Sequence, residues 1–204
     1  FFPNLELHAS TQMNVESAAA ANLLYKEGLS RVVVARELGL EEIRYIKEHT
    51  KAQIEMFVHG ALCVSESGLC LFSSFLGGKS ANRGMCTQAC RRYYTAEYPE
   101  GIKQGYYFSP CDMQLIEHIP ELCDIGVDSF KIEGRMKKPE YVAGVTAIYR
   151  KYIDMYYSNP SSFKVSKKDL DILRTLYIRS EILDGYYFRH NGKEMITLNS
   201  PSYS

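Results

Sequence analysis

Four cysteines in one polar stretch are the residues of this sequence best suited to chemistry. The stretch runs from His59 to Arg92, and its cysteines, spaced C-x6-C-x15-C-x3-C, are Cys63, Cys70, Cys86 and Cys90. Glycines and serines separate them, and no helical or strand period is long enough to bury a core. A loop this irregular needs something other than packing to stay ordered. Four thiolates on one metal centre would supply it.

Three interpretations of these cysteines compete. Disulfides are disfavoured, because no secretory signal is visible and a chain of this size can bury its own core. Structural zinc usually takes two close C-x2-4-C pairs, and only Cys86 and Cys90 are spaced in this way. One close pair with distant partners is compatible with an iron–sulfur cluster, so the spacing favours a cluster and leaves zinc open. Cys111 and Cys123 fit the simpler description of buried, unliganded thiols.

Composition limits the classes of function. The 204 residues include 24 Lys or Arg and 24 Asp or Glu, so the net charge is zero and there is no overall basic field to attract nucleic acid. At 46% hydrophobic, the chain can bury the core of one domain, with or without a small appendage. No apolar run approaches a membrane span, and we expect no membrane partner and a cytoplasmic location. We interpret the start, Phe-Phe-Pro, as that of a fragment lacking preceding strands.

Strand and helix patterns alternate along the chain. Strand patterns cover residues 5–10, 31–35, 54–59 and 128–132, with a further candidate at 106–109. Helical patterns cover residues 15–28, 40–46, 115–125, 139–157 and 167–177. We expect Asn14 to cap the first helix and Pro120 to interrupt the third. The alternation predicts an α/β fold built from right-handed βαβ units on a parallel sheet.

Polar and charged side chains gather directly after the predicted strands: they are Gln12, Arg36, Glu37, His59, Glu133 and Arg135. In α/β barrels and doubly wound sheets, this edge is the active face. The cysteine-bearing stretch leaves the same edge after His59. A purely structural alternative stays open, in which Arg36 pairs with Glu37 and Glu133 pairs with Arg135 at a helix entry.

Longer motifs make the chain similar to the collagenase-like peptidases, peptidase family U32. The matching stretches are HASTQ (8–12), ARELGLEEI (35–43), FVHGALC (57–63), SANRGMCTQACR (80–91), LIEHIPEL (115–122) and DSFKIEGRMKKPEYVAGV (128–145). A weaker match, YIRSEILDGYYF (177–188), resembles the segment that follows the barrel in this family. The sequence departs from the family at Leu69, where arginine is usual, and in SPCDMQ (109–114).

The resemblance implies a TIM-like (β/α) barrel, of which this chain would hold the C-terminal half. Residues 1–157 would form the partial barrel, with a cysteine-rich loop at 63–106, and residues 158–204 a C-terminal extension. The four cysteines of the loop would bind a 4Fe-4S cluster. Members of the family carry a protease label. Others hydroxylate a tRNA wobble uridine, a ribosomal RNA cytidine or a ubiquinone precursor without dioxygen, and prephenate is implicated as oxygen donor for the RNA reactions.

The residues fit hydroxylation better than proteolysis. There is no G-x-S-x-G or H-E-x-x-H motif, and Cys63, the thiol nearest to His59 in sequence, would be a cluster ligand. For hydroxylation, we predict that a dicarboxylate such as prephenate and the rest of the substrate contact Gln12, Arg36, Arg91 and Arg135. We predict that protons are transferred by Glu37, His59 and Glu133.

The sequence RRYY at 91–94 combines charge with stacking rings, which is typical of a single-stranded RNA contact, although a solvated loop is an alternative. We therefore predict an iron–sulfur-dependent enzyme that hydroxylates RNA, with the tRNA wobble uridine as target. The alternatives are a protease and a non-catalytic iron–sulfur accessory protein.

Overall fold

The computed structural model describes residues 4–134, 137–176, 178–190 and 192–202. Its strands within these ranges are β1 (Leu7–Ala9), β2 (Leu29–Val33), β3 (Gln53–Ala61), β4 (Tyr94–Tyr98), β5 (Gly101–Gly105), β6 (Asp112–Gln114), β7 (Ser129–Ile132) and β8 (Ile182–Leu183). Its α-helices are α1 (Ala18–Lys26), α2 (Leu40–Glu48), α3 (Phe72–Phe75), α4 (Ile119–Ile125), α5 (Pro139–Ser158) and α6 (Lys167–Leu176).

Four parallel strands form the main sheet in the order β1, β2, β3, β7. A helix follows each of them along the chain, which is the βαβ arrangement that the sequence predicts. Val32, Val33 and Ile54 lie buried inside this sheet, as expected of parallel strands covered on both faces. The prediction of a mixed α/β fold with a largely parallel sheet is confirmed.

The far end of β3 pairs differently from its beginning. Residues 59–61 run antiparallel to β6, which in turn pairs in parallel with the short β8. The sheet is therefore extended at its carboxyl edge by strands that lie outside the parallel set. This extension brings Asp112 and Gln114 opposite Ala61 and His59.

Helix α5 is fixed to the sheet by a buried tyrosine. The hydroxyl of Tyr149 donates to the carbonyl of Val58 at 2.8 Å and accepts from the backbone N–H of Leu115 at 3.2 Å. Helix α6 packs on α5, where Asp169 accepts hydrogen bonds from Lys151 and Tyr152 at 2.6 Å each. No helix of the residues described here is long and apolar enough to cross a membrane.

The C-terminal segment lies against the sheet and α2. The N–H of Leu40 donates to the carbonyl of Tyr187 at 2.9 Å, and the N–H of Cys111 donates to the carbonyl of Met195 at 2.8 Å. Tyr186 and Tyr187 are buried in the common core. The boundary between a partial barrel and an extension at residue 158 stays a prediction.

Three local predictions are wrong. Ser17, not Asn14, caps α1, because its hydroxyl accepts the N–H of Ala20, while Asn14 has a left-handed backbone. Pro120 lies in the first turn of α4, where its missing N–H is harmless, so it begins this helix and does not interrupt it. Residues 106–109 form no strand, and the hairpin of β4 and β5 precedes them.

Candidate metal centre

The cysteine-rich loop carries four free thiols that share one neighbourhood. Cys63, Cys70 and Cys90 are partly buried, and Cys86 is exposed. Burial, with a smaller contribution from the thiols of Cys63, Cys86 and Cys70, raises the pKa of Cys90 to about 11, and the neighbouring Arg91 opposes this rise. Each of the other three thiols is thus close enough to Cys90 for their charges to interact.

The donor set fits a four-thiolate centre in its chemistry and its proximity. The backbone N–H of Gln88 also donates to the sulfur of Cys86 at 3.4 Å, a contact suited to a thiolate. The side chains are not drawn together around an ion, however. In the ranges that the structure describes, no three side chains of His, Cys, Asp or Glu are arranged to hold a metal ion.

Glu37 holds the loop between the first two cysteines. Its carboxylate accepts hydrogen bonds from both the backbone N–H and the hydroxyl of Ser67, the latter at 2.9 Å. The same hydroxyl accepts the N–H of Arg36 at 3.3 Å. Glu37 is a predicted proton-transfer residue, and the contacts observed for it join the end of β2 to the loop.

A close approach at Gly68 holds the same part of the loop against the end of β1. Gly68 has φ +77°, and a Cβ atom at this position would overlap the backbone carbonyl of Gln12. The side chain of Gln12 itself is exposed, with its Oε1 at 2.5 Å from the hydroxyl of Ser10. Gln12 therefore lies at the predicted edge and remains accessible to a substrate.

Arg36 and Glu133 are brought together as predicted strand-end residues, with 3.8 Å between a guanidinium nitrogen and Oε2. The guanidinium carbon of Arg36 lies 4.3 Å from the ring centre of Phe57. Its Nε is buried and has no hydrogen-bond partner among the described residues. Burial raises the pKa of Cys63, and the positive charge of Arg36 opposes this rise. Arg36 pairs here with Glu133, and not with Glu37 as in the structural alternative.

His59 is a core residue in this structure. It is 3% exposed, and its Nδ1 lies 3.3 Å from the hydroxyl of Tyr149. Its ring also packs against the rings of Tyr141 and Tyr149. Burial lowers the pKa of His59 to about 4, so the imidazole is neutral at pH 7. His59 does not face solvent in this structure, and its predicted role in proton transfer stays a prediction.

Arg91 is also buried, at 1% exposed. Its guanidinium donates to the carbonyl of Leu62 at 2.8 Å, to the hydroxyl of Ser109 at 3.1 Å and to the carbonyl of Pro110. This geometry joins the loop to the segment before β6, and the substrate contact predicted for Arg91 stays a prediction. The remaining predicted contact, Arg135, lies outside the described residues.

Two polar residues that the sequence analysis did not select lie at the same edge. Asp112 is 4% exposed and accepts the N–H of Arg179 at 2.7 Å, and burial raises its pKa. Its other oxygen and Oε1 of Gln114 are buried without a partner in the described ranges. The sequence signal that could have found them is their spacing in SPCDMQ: Asp112 and Gln114 are two residues apart and therefore share one face of a strand.

Fold and site together define an α/β protein with a four-cysteine loop at the carboxyl edge of its parallel strands. The family model of peptidase family U32 matches residues 1–197, and the chain belongs to this family. The resemblance noted from the motifs is therefore confirmed.

The relatives carry two kinds of name. The chain is 42% identical to the tRNA hydroxylation protein P1 of Bacillus subtilis over 180 residues, 84% of this chain and 43% of that protein. It is 46% identical to a 23S rRNA 5-hydroxycytidine synthase of Escherichia coli over 155 residues, 74% of this chain and 24% of that protein. It is 37% identical to a collagenase of Porphyromonas gingivalis over 199 residues, 90% of this chain and 48% of that protein. The chain thus spans less than half the length of each of these relatives, and no solved structure matches it.

Substituting Gly68 tests how the loop is attached. We expect Gly68→Ala to lower the free energy of unfolding by about 3 kcal/mol, since the new methyl group would overlap the Gln12 carbonyl in an already left-handed backbone. Gly78→Ala is the matched control, because Gly78 has φ +62° and no atom within 4 Å of the added Cβ. It should cost about 1 kcal/mol. Equal losses in urea unfolding would show that the contact with Gln12 does not hold the loop.

The buried histidine predicts a pH dependence of stability. A folded pKa of about 4 lies below the ordinary value of 6.5, so the unfolded chain binds the proton more tightly. The part of the free energy of unfolding that depends on a neutral His59 is therefore complete above pH 6.5. It is lost as the pH falls towards 4, by about 3 kcal/mol in total. His59→Gln should remove this component, whereas His49→Gln, on the surface, should keep it. Urea unfolding between pH 4 and 7 measures the slope, and an unchanged slope in His59→Gln would refute the assignment.

Proposed function

We propose that this protein is an iron–sulfur-dependent enzyme that hydroxylates RNA without dioxygen, with the wobble uridine of tRNA as its target. The observation that carries the proposal is the gathering of four thiols at the carboxyl edge of the sheet. Relatives named for tRNA hydroxylation and for 5-hydroxycytidine synthesis in ribosomal RNA support the choice of reaction. We also propose a cytoplasmic location, where tRNA is modified.

The arrangement of strands supports a partial barrel as the scaffold. Four parallel neighbours, each followed by a helix, match four successive units of a TIM-like barrel. On this proposal, residues 1–157 form the C-terminal half of the barrel, and the remaining strands complete it. The cysteine-rich loop at 63–106 would then cover the mouth, where such barrels place their active sites.

Cys63, Cys70, Cys86 and Cys90 would hold the 4Fe-4S cluster, which would supply electron transfer when bound. A dicarboxylate such as prephenate would bind at Arg36, whose Nε lacks a partner among the described residues and whose guanidinium is only loosely paired at 3.8 Å. Glu133 lies beside this guanidinium and is partly exposed, so it is the proton-transfer candidate that the geometry favours. Gln12 and Arg135 stay proposals as further contacts.

Exposure favours two residues of the RRYY sequence as the proposed RNA contact. Arg92 and Tyr93 are exposed, whereas Arg91 is buried and the hydroxyl of Tyr94 donates to the carbonyl of Ala89 at 2.8 Å. An exposed tyrosine next to an exposed arginine in sequence suits stacking on an unpaired base.

Proteolysis is the alternative, favoured by the relative named collagenase. A cysteine nucleophile requires a lowered thiol pKa. Burial instead raises the pKa of Cys63, Cys90, Cys111 and Cys123, and the neutral His59 is enclosed by tyrosines. A non-catalytic iron–sulfur accessory role is the second alternative.

Replacing one ligand tests the proposal. In protein purified without oxygen, we expect Cys86→Ser to lose iron, sulfide and the broad visible absorbance of the cluster. In a complemented deletion strain, the same variant should lose hydroxylated uridine from tRNA, as measured by mass spectrometry of nucleosides. The matched control is Cys123→Ser, a partly buried thiol outside the loop, which should keep both. Hydroxylation that survives without the cluster would reject the mechanism, and a zinc-containing, colourless wild-type protein would reject the cofactor.

A further inference from the structure

Arg91 occupies an unusual position between the loop and the sheet. It follows Cys90 directly in sequence, and one of its nitrogens donates to the carbonyl of Leu62, the residue before Cys63. Another nitrogen donates to Ser109 and Pro110, just before β6. One guanidinium therefore holds the backbone beside one of the proposed ligands and adjoins another in sequence.

The positive charge of Arg91 interacts with side chains of both the cysteine-rich loop and the sheet. The nearby side chains that interact with it electrostatically include the guanidinium of Arg179, the thiols of Cys90 and Cys63 and the carboxylate of Asp112. At 1% exposed, the guanidinium lies in surroundings of low dielectric, where such interactions are strong. Asp112, at 4% exposed, pairs in β6 with Ala61 of β3, two residues before Cys63, and so places a carboxylate in the same surroundings.

We propose that Arg91 is a positioning residue that also sets the charge balance of the metal centre, and that Asp112 opposes it. This inference rests on the proposed cluster, since a four-thiolate iron–sulfur cluster is an anion that gains a further negative charge on reduction. A buried cation nearby stabilises the reduced form, and a buried carboxylate destabilises it. Arg91 therefore raises the reduction potential of the cluster, and Asp112 lowers it.

Substitutions at the two residues separate charge from mere support of the fold. Arg91→Met removes the charge and the hydrogen bonds, whereas Arg91→Lys keeps the charge and loses the planar set of donors. Asp112→Asn removes the negative charge and keeps an oxygen that can accept the N–H of Arg179. Arg92→Met is the matched control, since Arg92 is the exposed neighbour in sequence.

The experiment is a redox titration of the anaerobically purified protein with dithionite and mediators, in which the cluster accepts one electron and its absorbance is followed. At a fixed potential, we expect Arg91→Met to lower the ratio of reduced to oxidised cluster about tenfold, which is about 59 mV for one electron. Asp112→Asn should change the ratio in the opposite direction. Arg91→Lys should remain close to the wild type, and Arg92→Met should not change it.

Shifts of the reduction potential in opposite directions for Arg91→Met and Asp112→Asn are a result that loss of structure alone would not give. Equal potentials in wild type, Arg91→Met and Asp112→Asn would overturn the inference and leave the proposed cluster intact. If Arg91→Met fails to retain a cluster, the sign of the Asp112→Asn shift decides. A wild-type protein without any cluster would overturn the cofactor proposal and this inference together, and hydroxylation of tRNA is not needed for any of these readings.

Discussion

The hydrogen bonds between the carboxylate of Glu37 and Ser67 show the kind of interaction on which this edge of the molecule depends. The cysteine-rich loop has short turns and a small hairpin, but between its first cysteines it has no repeating backbone ladder. Its position is therefore fixed by individual side chains. Glu37 reaches the loop from the turn that follows β2, and Arg91 reaches from the loop to the residues before β6.

This arrangement explains why several polar residues near the strand ends make contacts that hold the loop. In a parallel sheet, the carboxyl edge is open and must be covered by the connecting segments. A long loop crossing that edge brings its own N–H and C=O groups, and buried groups of this kind need partners. Glu37 and Arg91 satisfy such groups, while Glu133 is partly exposed and Gln12 is exposed. The roles in binding and proton transfer that the sequence suggests for these side chains stay predictions.

The sequence predicted the regular parts of the fold well, because their signals are local. The apolar run at 31–35 and the long amphipathic helix at 139–157 correspond to β2 and α5. The hairpin at 94–105 was missed, since its strands are exposed and lack a strong apolar alternation. The burial of His59 and Arg91 was also missed. Both depend on tertiary partners distant in sequence, Tyr149 for one and Ser109 for the other, and no local pattern encodes such contacts.

The four cysteines of the candidate centre are unequally exposed, so one side of the centre faces solvent and the other faces the protein. Cys86 is exposed, whereas Cys63 and Cys90 lie deeper, beside Arg36 and Arg91. On the proposal that these thiols hold an iron–sulfur cluster, small oxidants and chelators would reach it from the side of Cys86, and the bond between this sulfur and iron would be the first to break. Damage would begin with the loss of the iron bound to Cys86 and not with the loss of the whole cluster. The loop itself would stay in place, because the contacts of Glu37 and Arg91 hold it without the metal.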